Sequence, residues 1–268
     1  MSWITARRRH PAAGYAVVLL GLIAIGIVYA AITTPGGGAS AAAPPASRQE
    51  TAEGQALFAQ TCATCHGMYA QGTPHGGPSL IGVGAAAVDF QVSTGRMPAA
   101  EIGAQMARKP PRFNTKQTHQ IAAYIASLGG GPAIPAPEQV STAGANVGLG
   151  QELFVTNCAQ CHNFVGAGGD LTYGKYAPPL TASTPTQIYE AMQTGPEAMP
   201  VFNDTTITPT QKRDIVAYVT QTRAEPNPGG FSLGRVGPVT EGLVAWLGGI
   251  GALVLSAWWI AAKRREHS

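Results

Sequence analysis

Charged residues are scarce in this sequence: Asp, Glu, Lys and Arg together make up 12% of its 268 residues. The 17 basic and 14 acidic side chains leave a formal net charge of only +3. Six of the basic residues lie at the extreme ends of the chain, as Arg7, Arg8, Arg9, Lys263, Arg264 and Arg265. Because the long interior lacks the basic cluster that binds nucleic acid phosphates, we expect no nucleic acid partner.

Cysteine is equally scarce, with four residues in the chain. They form two pairs with the same two-residue gap, and a histidine directly follows each pair: Cys62, Cys65 and His66, then Cys158, Cys161 and His162. Two disulfides, structural zinc or redox dithiols are the ordinary uses of such pairs. Zinc would need two further ligands at each site, and the sequence has no further cysteine and no His-x-x-x-His pair. A thioredoxin-like dithiol needs no histidine after it.

Cys-x-x-Cys-His is the attachment pattern of c-type haem. The two cysteines form thioether bonds to the vinyl groups, and the adjacent histidine coordinates the iron. Two intervening residues let both sulfur atoms and the imidazole reach one porphyrin from a single helical turn. The pattern occurs twice, in register with an internal repeat, and therefore predicts two covalently bound haem c groups rather than zinc or dithiols.

The repeat has a shift of 96 residues around the cysteines: Gly54–Phe58 (GQALF) precedes the first pair and Gly150–Phe154 (GQELF) the second. Each copy ends in an amphipathic stretch, which contains Tyr124 or Tyr218 and predicts a terminal helix with one buried face. In the first helix of each copy, a glycine precedes a phenylalanine by four residues (Gly54/Phe58 and Gly150/Phe154). This pattern predicts that the first helix crosses closely over the last helix.

The sixth iron ligand must come from elsewhere in each copy. Met97 and Met199, each followed by proline, lie 31 residues after His66 and 37 residues after His162. Methionine/histidine ligation raises the reduction potential of a haem. Met106 is a rival to Met97 in the first copy, and packing in the core is the alternative use of both methionines.

Two prolines and two further histidines are the remaining candidates for a role at the haem sites. A backbone carbonyl near Pro78 or Pro178 is placed to accept the proton of the axial imidazole, which would fix its tautomer. His75 and His119 have no counterpart in the other copy, so we expect them to be exposed or structural.

Two uncharged stretches, residues 12–32 and 243–262, are long enough as helices to cross a hydrocarbon core of roughly 30 Å. Basic clusters lie on their outer ends, so the positive-inside rule predicts two membrane spans, cytoplasmic termini and an extracytoplasmic segment 33–241. The alternative for the first stretch is a cleaved signal peptide, although its apolar run exceeds the usual length of about 7–15 residues.

The sequence as a whole predicts a mainly α-helical chain in six parts. They are a membrane anchor (1–33), a linker (34–47), a haem domain (48–130), a linker (131–144), a second haem domain (145–230) and a transmembrane helix (238–263).

The pattern of each copy resembles class I cytochromes c: a first helix with Gly and Phe, Cys-x-x-Cys-His, a Met-Pro loop and a last helix with Tyr. The fold class is accordingly identified as two tandem class I cytochrome c domains with N- and C-terminal transmembrane helices. This arrangement is similar to the dihaem cytochrome cc subunit of the actinobacterial quinol–cytochrome c reductase, the cytochrome bcc complex. The stretches VSTGRMPA (92–99) and GPEAMPVF (195–202) carry this resemblance most closely.

The resemblance implies a function within the cell membrane. A cytochrome b subunit and a Rieske iron–sulfur subunit would oxidise menaquinol, and the Rieske centre would reduce the first haem. The second haem would then pass the electron to the copper-bearing subunit of a haem-copper cytochrome c oxidase. The resemblance implies that the reductase is the enzyme and that this chain carries electrons without substrate chemistry of its own.

Two other functions are open at this point. The chain could be the dihaem subunit of another oxidase or of a periplasmic dehydrogenase, with a different electron donor. A dihaem peroxidase or gas sensor would need an open sixth coordination position, which the two well-placed methionines argue against.

Overall fold

The computed structural model of the protein describes residues 12–33, 46–101, 103, 105–225, 233 and 238–265. Most of the predicted linker 34–47 and the basic residues 7–9 lie outside the described residues. The chain forms two units, Met1–Ala42 and Ala43–Ser268. Its described part is mainly helical, as the sequence predicts.

The first unit contains helix α1 (Ala12–Thr33). The helices of the second unit are α2 (Arg48–Thr61), α3 (Ala63–His66), α4 (Gly84–Ser93), α5 (Thr115–Ser127), α6 (Pro137–Val140), α7 (Val147–Asn157), α8 (Ala159–His162), α9 (Pro185–Thr194), α10 (Pro209–Ala224) and α11 (Pro238–Arg265). Two short strands, β1 (Gly169–Asp170) and β2 (Tyr176–Ala177), pair antiparallel, and short 3₁₀ turns span Thr172–Gly174 and Leu180–Ala182. We call α2–α5 the N-terminal bundle and α6–α10 the C-terminal bundle.

Local sequence fixes where four of these helices begin. Helices α2, α5, α9 and α10 each start with a capping box, in which the cap side chain and the third helical residue bind each other's backbone N–H groups. The pairs are Ser47/Glu50, Asn114/Gln117, Thr184/Gln187 and Thr208/Gln211. These reciprocal bonds satisfy amide groups that would otherwise lack partners at the helix ends.

In the N-terminal bundle, α2 crosses closely over α5. A β-carbon built on Gly54 would lie 2.5 Å from the carbonyl carbon of Gln120, so only glycine permits this approach. The rings of Phe58 and Tyr124 pack beside the crossing with centroids 5.3 Å apart.

The C-terminal bundle repeats the crossing with α7 and α10. A β-carbon on Gly150 would lie 2.5 Å from the carbonyl carbon of Asp214, and the Phe154 and Tyr218 centroids are again 5.3 Å apart. Both close crossings confirm the prediction from the repeated Gly and Phe.

Two hydrophobic cores result, one in each bundle. The first consists of Phe58, Ala70, Val88, Val92, Ile121, Ala122, Tyr124 and Ile125. The second consists of Phe154, Cys158, Ile188, Tyr189, Met192, Phe202, Ile207, Ile215, Val216, Tyr218 and Val219.

The two bundles contact each other through α4, α9 and the loop that precedes α5. Gln187 Nε2 donates to Ser93 Oγ at 3.0 Å, and Arg108 Nη2 donates to the carbonyl oxygen of Ala182 at 2.8 Å. Glu190 of α9 is completely buried, and Asp89 of α4, also buried, faces it across this contact. Burial, together with the negative charge of Asp89, raises the pKa of Glu190 to about 10.

Replacing Glu190 by Gln is therefore expected to stabilise the protein above neutral pH. Glu190 keeps its proton in the folded chain but loses it in the unfolded chain above its ordinary pKa of 4.5, so wild-type stability falls as the pH rises from 4.5 towards 10. We expect Glu190→Gln to gain on the order of 2 kcal/mol at about pH 8 and little at about pH 4. Thermal unfolding at both pH values checks this, with the exposed Glu152→Gln as control. Equal gains at both values would contradict it.

Helix α11 contains the stretch Thr240–Ala262, which is long and apolar enough to cross a membrane. Its large side chains are exposed, including Trp246 and Trp258 at 70% each. In α1 the apolar stretch with described side chains is shorter, Tyr15–Ile27. The second predicted span thus has a matching helix, and the first span stays a prediction.

Candidate functional site

Each Cys-x-x-Cys-His sequence forms a single helical turn at the end of the first long helix of its bundle. Cys62 ends α2 and begins α3, and its carbonyl oxygen accepts hydrogen bonds from the backbone N–H groups of Cys65 at 3.1 Å and His66 at 3.0 Å. Cys158 does the same between α7 and α8, with the corresponding bonds at 3.1 and 2.9 Å. This turn places two sulfur atoms and one imidazole together.

A proline carbonyl orients each histidine. His66 Nδ1 lies 2.8 Å from the carbonyl oxygen of Pro78, and His162 Nδ1 lies 3.1 Å from that of Pro178. Because a carbonyl oxygen only accepts hydrogen bonds, Nδ1 must carry the proton, and the lone pair of Nε2 is left to bind a metal. Both contacts confirm the prediction for Pro78 and Pro178.

Burial also shifts the pKa values of His162, Cys62 and Cys158. The His162 side chain is buried, and this burial lowers its pKa, which favours the neutral, metal-binding imidazole. Burial raises the pKa of Cys62 to about 11 and that of Cys158 to about 12. A redox dithiol instead needs a lowered thiol pKa, so these pairs do not have the environment of a thioredoxin-like site.

In the C-terminal bundle the four predicted site residues line one cleft. Cys158, Cys161, His162 and Met199 all contribute to its wall. The rest of this wall is largely apolar and includes Phe154, Ile188, Met192, Phe202, Ile215 and Val219. A thiol pair, an imidazole and a thioether in an apolar cleft form the donor set that fits a c-type haem.

In the N-terminal bundle, Met97 and Cys62 pack against the hydrophobic core. The Met97 backbone N–H donates to the Gln91 carbonyl oxygen at 2.9 Å, and Lys109 Nζ donates to the Pro98 carbonyl oxygen at 2.7 Å. These bonds hold the Met-Pro loop in place.

The rival methionine, Met106, lies elsewhere. Its backbone N–H donates to Oε1 of Glu197 in the C-terminal bundle at 3.1 Å. Met106 thus takes part in the contact between the bundles through its backbone, and the assignment of Met97 to the first site stays a prediction.

Glycine makes room for the first histidine. A β-carbon on Gly77 would lie 2.5 Å from His66 Nδ1, so a side chain here would displace the imidazole from the Pro78 carbonyl. The sequence comparison between the copies gave no indication of this role.

The cleft of the C-terminal bundle, called the second cleft below because it contains the second predicted site, also includes residues from the N-terminal bundle and its loop, which sequence reasoning missed. Phe90, Arg96 and Gln105 line it together with the C-terminal bundle. Gln105 exchanges two hydrogen bonds with the Tyr176 backbone, at 2.7 and 2.8 Å. The one sequence feature that could have indicated this contribution is Arg96 itself, because it is the sole charged residue in the stretch 92–99.

The two other histidines among the described residues, His75 and His119, do not line the cleft. His75 is exposed, and His119 Nε2 lies 3.5 Å from Asp89 Oδ1. Both positions agree with the expected exposed or structural role.

Two helical bundles each have a Cys-x-x-Cys-His turn and a histidine oriented by a proline carbonyl, and in the C-terminal bundle this turn lines an apolar cleft. These features define a c-type cytochrome. Comparison with known sequences agrees with this class. The sequence profile of the family described as "Cytochrome C oxidase, cbb3-type, subunit III" matches residues 49–125 and 145–219. A cytochrome c domain implies covalently bound haem c.

Several relatives are each named "Cytochrome bc1 complex cytochrome c subunit". The protein from Corynebacterium efficiens is 44% identical over 95% of this chain and 90% of its own length. The Mycobacterium leprae protein is 49% identical over 78% of this chain and 74% of its own length. The Mycobacterium bovis protein is 44% identical over 97% and 94%, respectively. The chain belongs to the family of cytochrome bc1 complex cytochrome c subunits, which confirms the resemblance seen in its sequence.

Proposed function

We propose that this chain is the dihaem, electron-carrying subunit of a respiratory quinol–cytochrome c reductase. In this proposal it relays electrons from the Rieske iron–sulfur subunit, through two covalently bound haems, to the copper-bearing subunit of a cytochrome c oxidase. The observation that carries the proposal is the duplication of one site geometry, with a Cys-x-x-Cys-His turn and a proline-bound histidine in each of two contacting bundles.

Each proposed haem has its own set of residues, two cysteines that attach the porphyrin and a histidine and a methionine that bind the iron. The first set is Cys62, Cys65, His66 and Met97, and the second is Cys158, Cys161, His162 and Met199. Haem c supplies reversible one-electron chemistry at its iron. The chain itself attaches the group through its thiols, orients the imidazoles through the proline carbonyls and keeps water out with its apolar walls. This division of labour leaves quinol oxidation to the companion subunits.

Replacing Met97 by Leu is expected to remove the sixth ligand of the first haem. The reduction potential of that haem should fall by more than the roughly 59 mV that corresponds to a tenfold change in its oxidised-to-reduced ratio. The reduced variant should also bind carbon monoxide at one of its two haems. Spectroelectrochemical titration measures both effects.

Met106→Leu is the matched control for this substitution and should leave both haems unchanged. The reverse result, with Met106→Leu lowering the potential and Met97→Leu silent, would assign the ligand to Met106 instead.

We further propose that residues 48–130 and 145–230 are the two haem domains and that both lie on the extracytoplasmic side of the cell membrane. The apolar helix α11 supports the C-terminal span. The N-terminal span and the cytoplasmic position of both termini rest on the uncharged stretch 12–32 and on the terminal basic residues.

Charge supports the proposed direction of electron flow. Residues 48–130 carry six basic and four acidic side chains, whereas residues 145–230 carry four basic and seven acidic ones. Different net charges on the two haem domains would favour different docking partners at the entry and exit sides.

Purification of the chain from its native membrane in mild detergent tests the proposed function. We expect b-type haem from cytochrome b and a-type haem from the oxidase to co-purify with the c-type haem. The preparation should also oxidise menaquinol with oxygen without added soluble cytochrome c. Co-purification with a dehydrogenase, or with an oxidase but no b-type haem, would instead favour one of the other dihaem functions.

A further inference from the structure

Arg96 is a buried cation for which the protein supplies no complete set of partners. Only 5% of its surface is exposed, and its Nη1 atom is buried without a hydrogen-bond partner. The guanidinium carbon lies 5.0 Å from the centroid of the Phe90 ring. A buried donor without a hydrogen-bond partner is costly and indicates a missing partner.

The position of Arg96 indicates what that partner is. Arg96 belongs to the N-terminal bundle but lines the second cleft, together with His162 and Met199. Glu197 is the acidic residue of this wall, and its Oε1 already accepts the Met106 N–H at 3.1 Å. Arg96 therefore lines a cleft whose donor set fits a haem, a group that carries carboxylates of its own.

We propose that Arg96 binds a carboxylate of the group held in the second cleft. The inference rests on the proposed function, under which that carboxylate is a propionate of the second haem. A guanidinium group suits this role because its planar fork of donors matches a carboxylate and stays charged when buried.

The sequence position of Arg96 adds a consequence. It directly precedes Met97, the proposed ligand of the first haem. Two adjacent residues of one loop thus serve both haems, and the second site is complete only when the N-terminal bundle contacts the C-terminal bundle.

Replacing Arg96 by Gln in the full-length chain tests the inference. Without the guanidinium charge, the propionate is uncompensated and stabilises the ferric form, so the potential of the second haem should fall. We expect a fall of about 59 mV, which corresponds to a tenfold change in its oxidised-to-reduced ratio. In the redox titration of the wild type, the step that belongs to the second haem is the one that disappears in the Cys158→Ala/Cys161→Ala variant. Arg96→Lys, which keeps the charge without the fork, should restore part of the shift.

Arg108→Gln is the matched control. Arg108 also joins the two bundles, through Ala182 and Gln187, but it is exposed and is not part of the cleft wall. This control should leave the potential of the second haem close to that of the wild type. No shift in Arg96→Gln, or an equal shift in both variants, would overturn the inference.

A second measurement covers the case in which Arg96→Gln does not accumulate. Redox-difference infrared spectra of the wild-type chain with isotope-labelled arginine should contain a label-sensitive band from reduction of the second haem. This band should persist in Arg108→Gln, and its absence from the wild type would overturn the inference. A wild-type chain that carries fewer than two haems would contradict the proposed function itself.

Discussion

A chain in which Cys158 and Cys161 are both replaced by alanine is expected, under the proposed function, to lose one of two haems and all electron transfer from quinol to oxygen. The variant cannot form the two thioether bonds of the second site, while Cys62, Cys65 and His66 remain intact. The first haem can then be reduced but has no carrier to which it can pass the electron.

Intact mass, the haem spectrum and menaquinol-driven oxygen uptake of the purified complex measure these effects. The matched variant Cys62→Ala/Cys65→Ala should lose the other haem and the same activity, whereas Met106→Leu should retain both haems and full turnover. Turnover that survives the loss of either cysteine pair would show that electrons bypass this subunit.

The second large effect is expected from Gly150→Ala, which should destabilise the C-terminal bundle by about 3 kcal/mol or more. The new β-carbon would lie 2.5 Å from the Asp214 carbonyl carbon, so α7 and α10 would have to move apart. Since Phe154 and Tyr218 pack beside this crossing, the separation would also open the core around the second cleft. Thermal unfolding and the haem content of the purified chain measure the loss.

Gly148→Ala provides the control within the same helix. Gly148 is exposed, and a β-carbon added to it would have Asn146 Oδ1 as its nearest neighbour, at 3.5 Å. Alanine here should be neutral or slightly stabilising, because it has the higher helix propensity by about 1 kcal/mol at most. Equal losses from both substitutions would contradict the role assigned to the helix crossing.

Features set by short-range spacing could be predicted from the sequence. The Cys-x-x-Cys-His turns, the proline carbonyls that bind His66 and His162, and the close crossings at Gly54 and Gly150 all follow from patterns within one copy of the repeat. Such patterns are read reliably because each depends on a few residues in one helix or loop.

Features that depend on how the copies pack together could not be predicted. Arg96 enters the cleft of the other bundle, and Glu190 meets Asp89 across the same contact. Neither Arg96 nor Glu190 has a residue of the same type at the matching position of the other copy. Periodicity within one copy also gives no information on which helix faces of the two copies pack against each other. The short hairpin of β1 and β2 was missed for another reason, since strands of two residues are too short to produce a periodic pattern.

The stoichiometry of covalent haem tests the central claim most directly. Intact mass spectrometry of the purified wild-type chain, together with a pyridine haemochromogen assay, counts the haems that are bonded to the polypeptide. The account predicts a mass increased by two haems and a c-type spectrum of matching intensity. An unmodified polypeptide, from a host able to attach haem c, would contradict it.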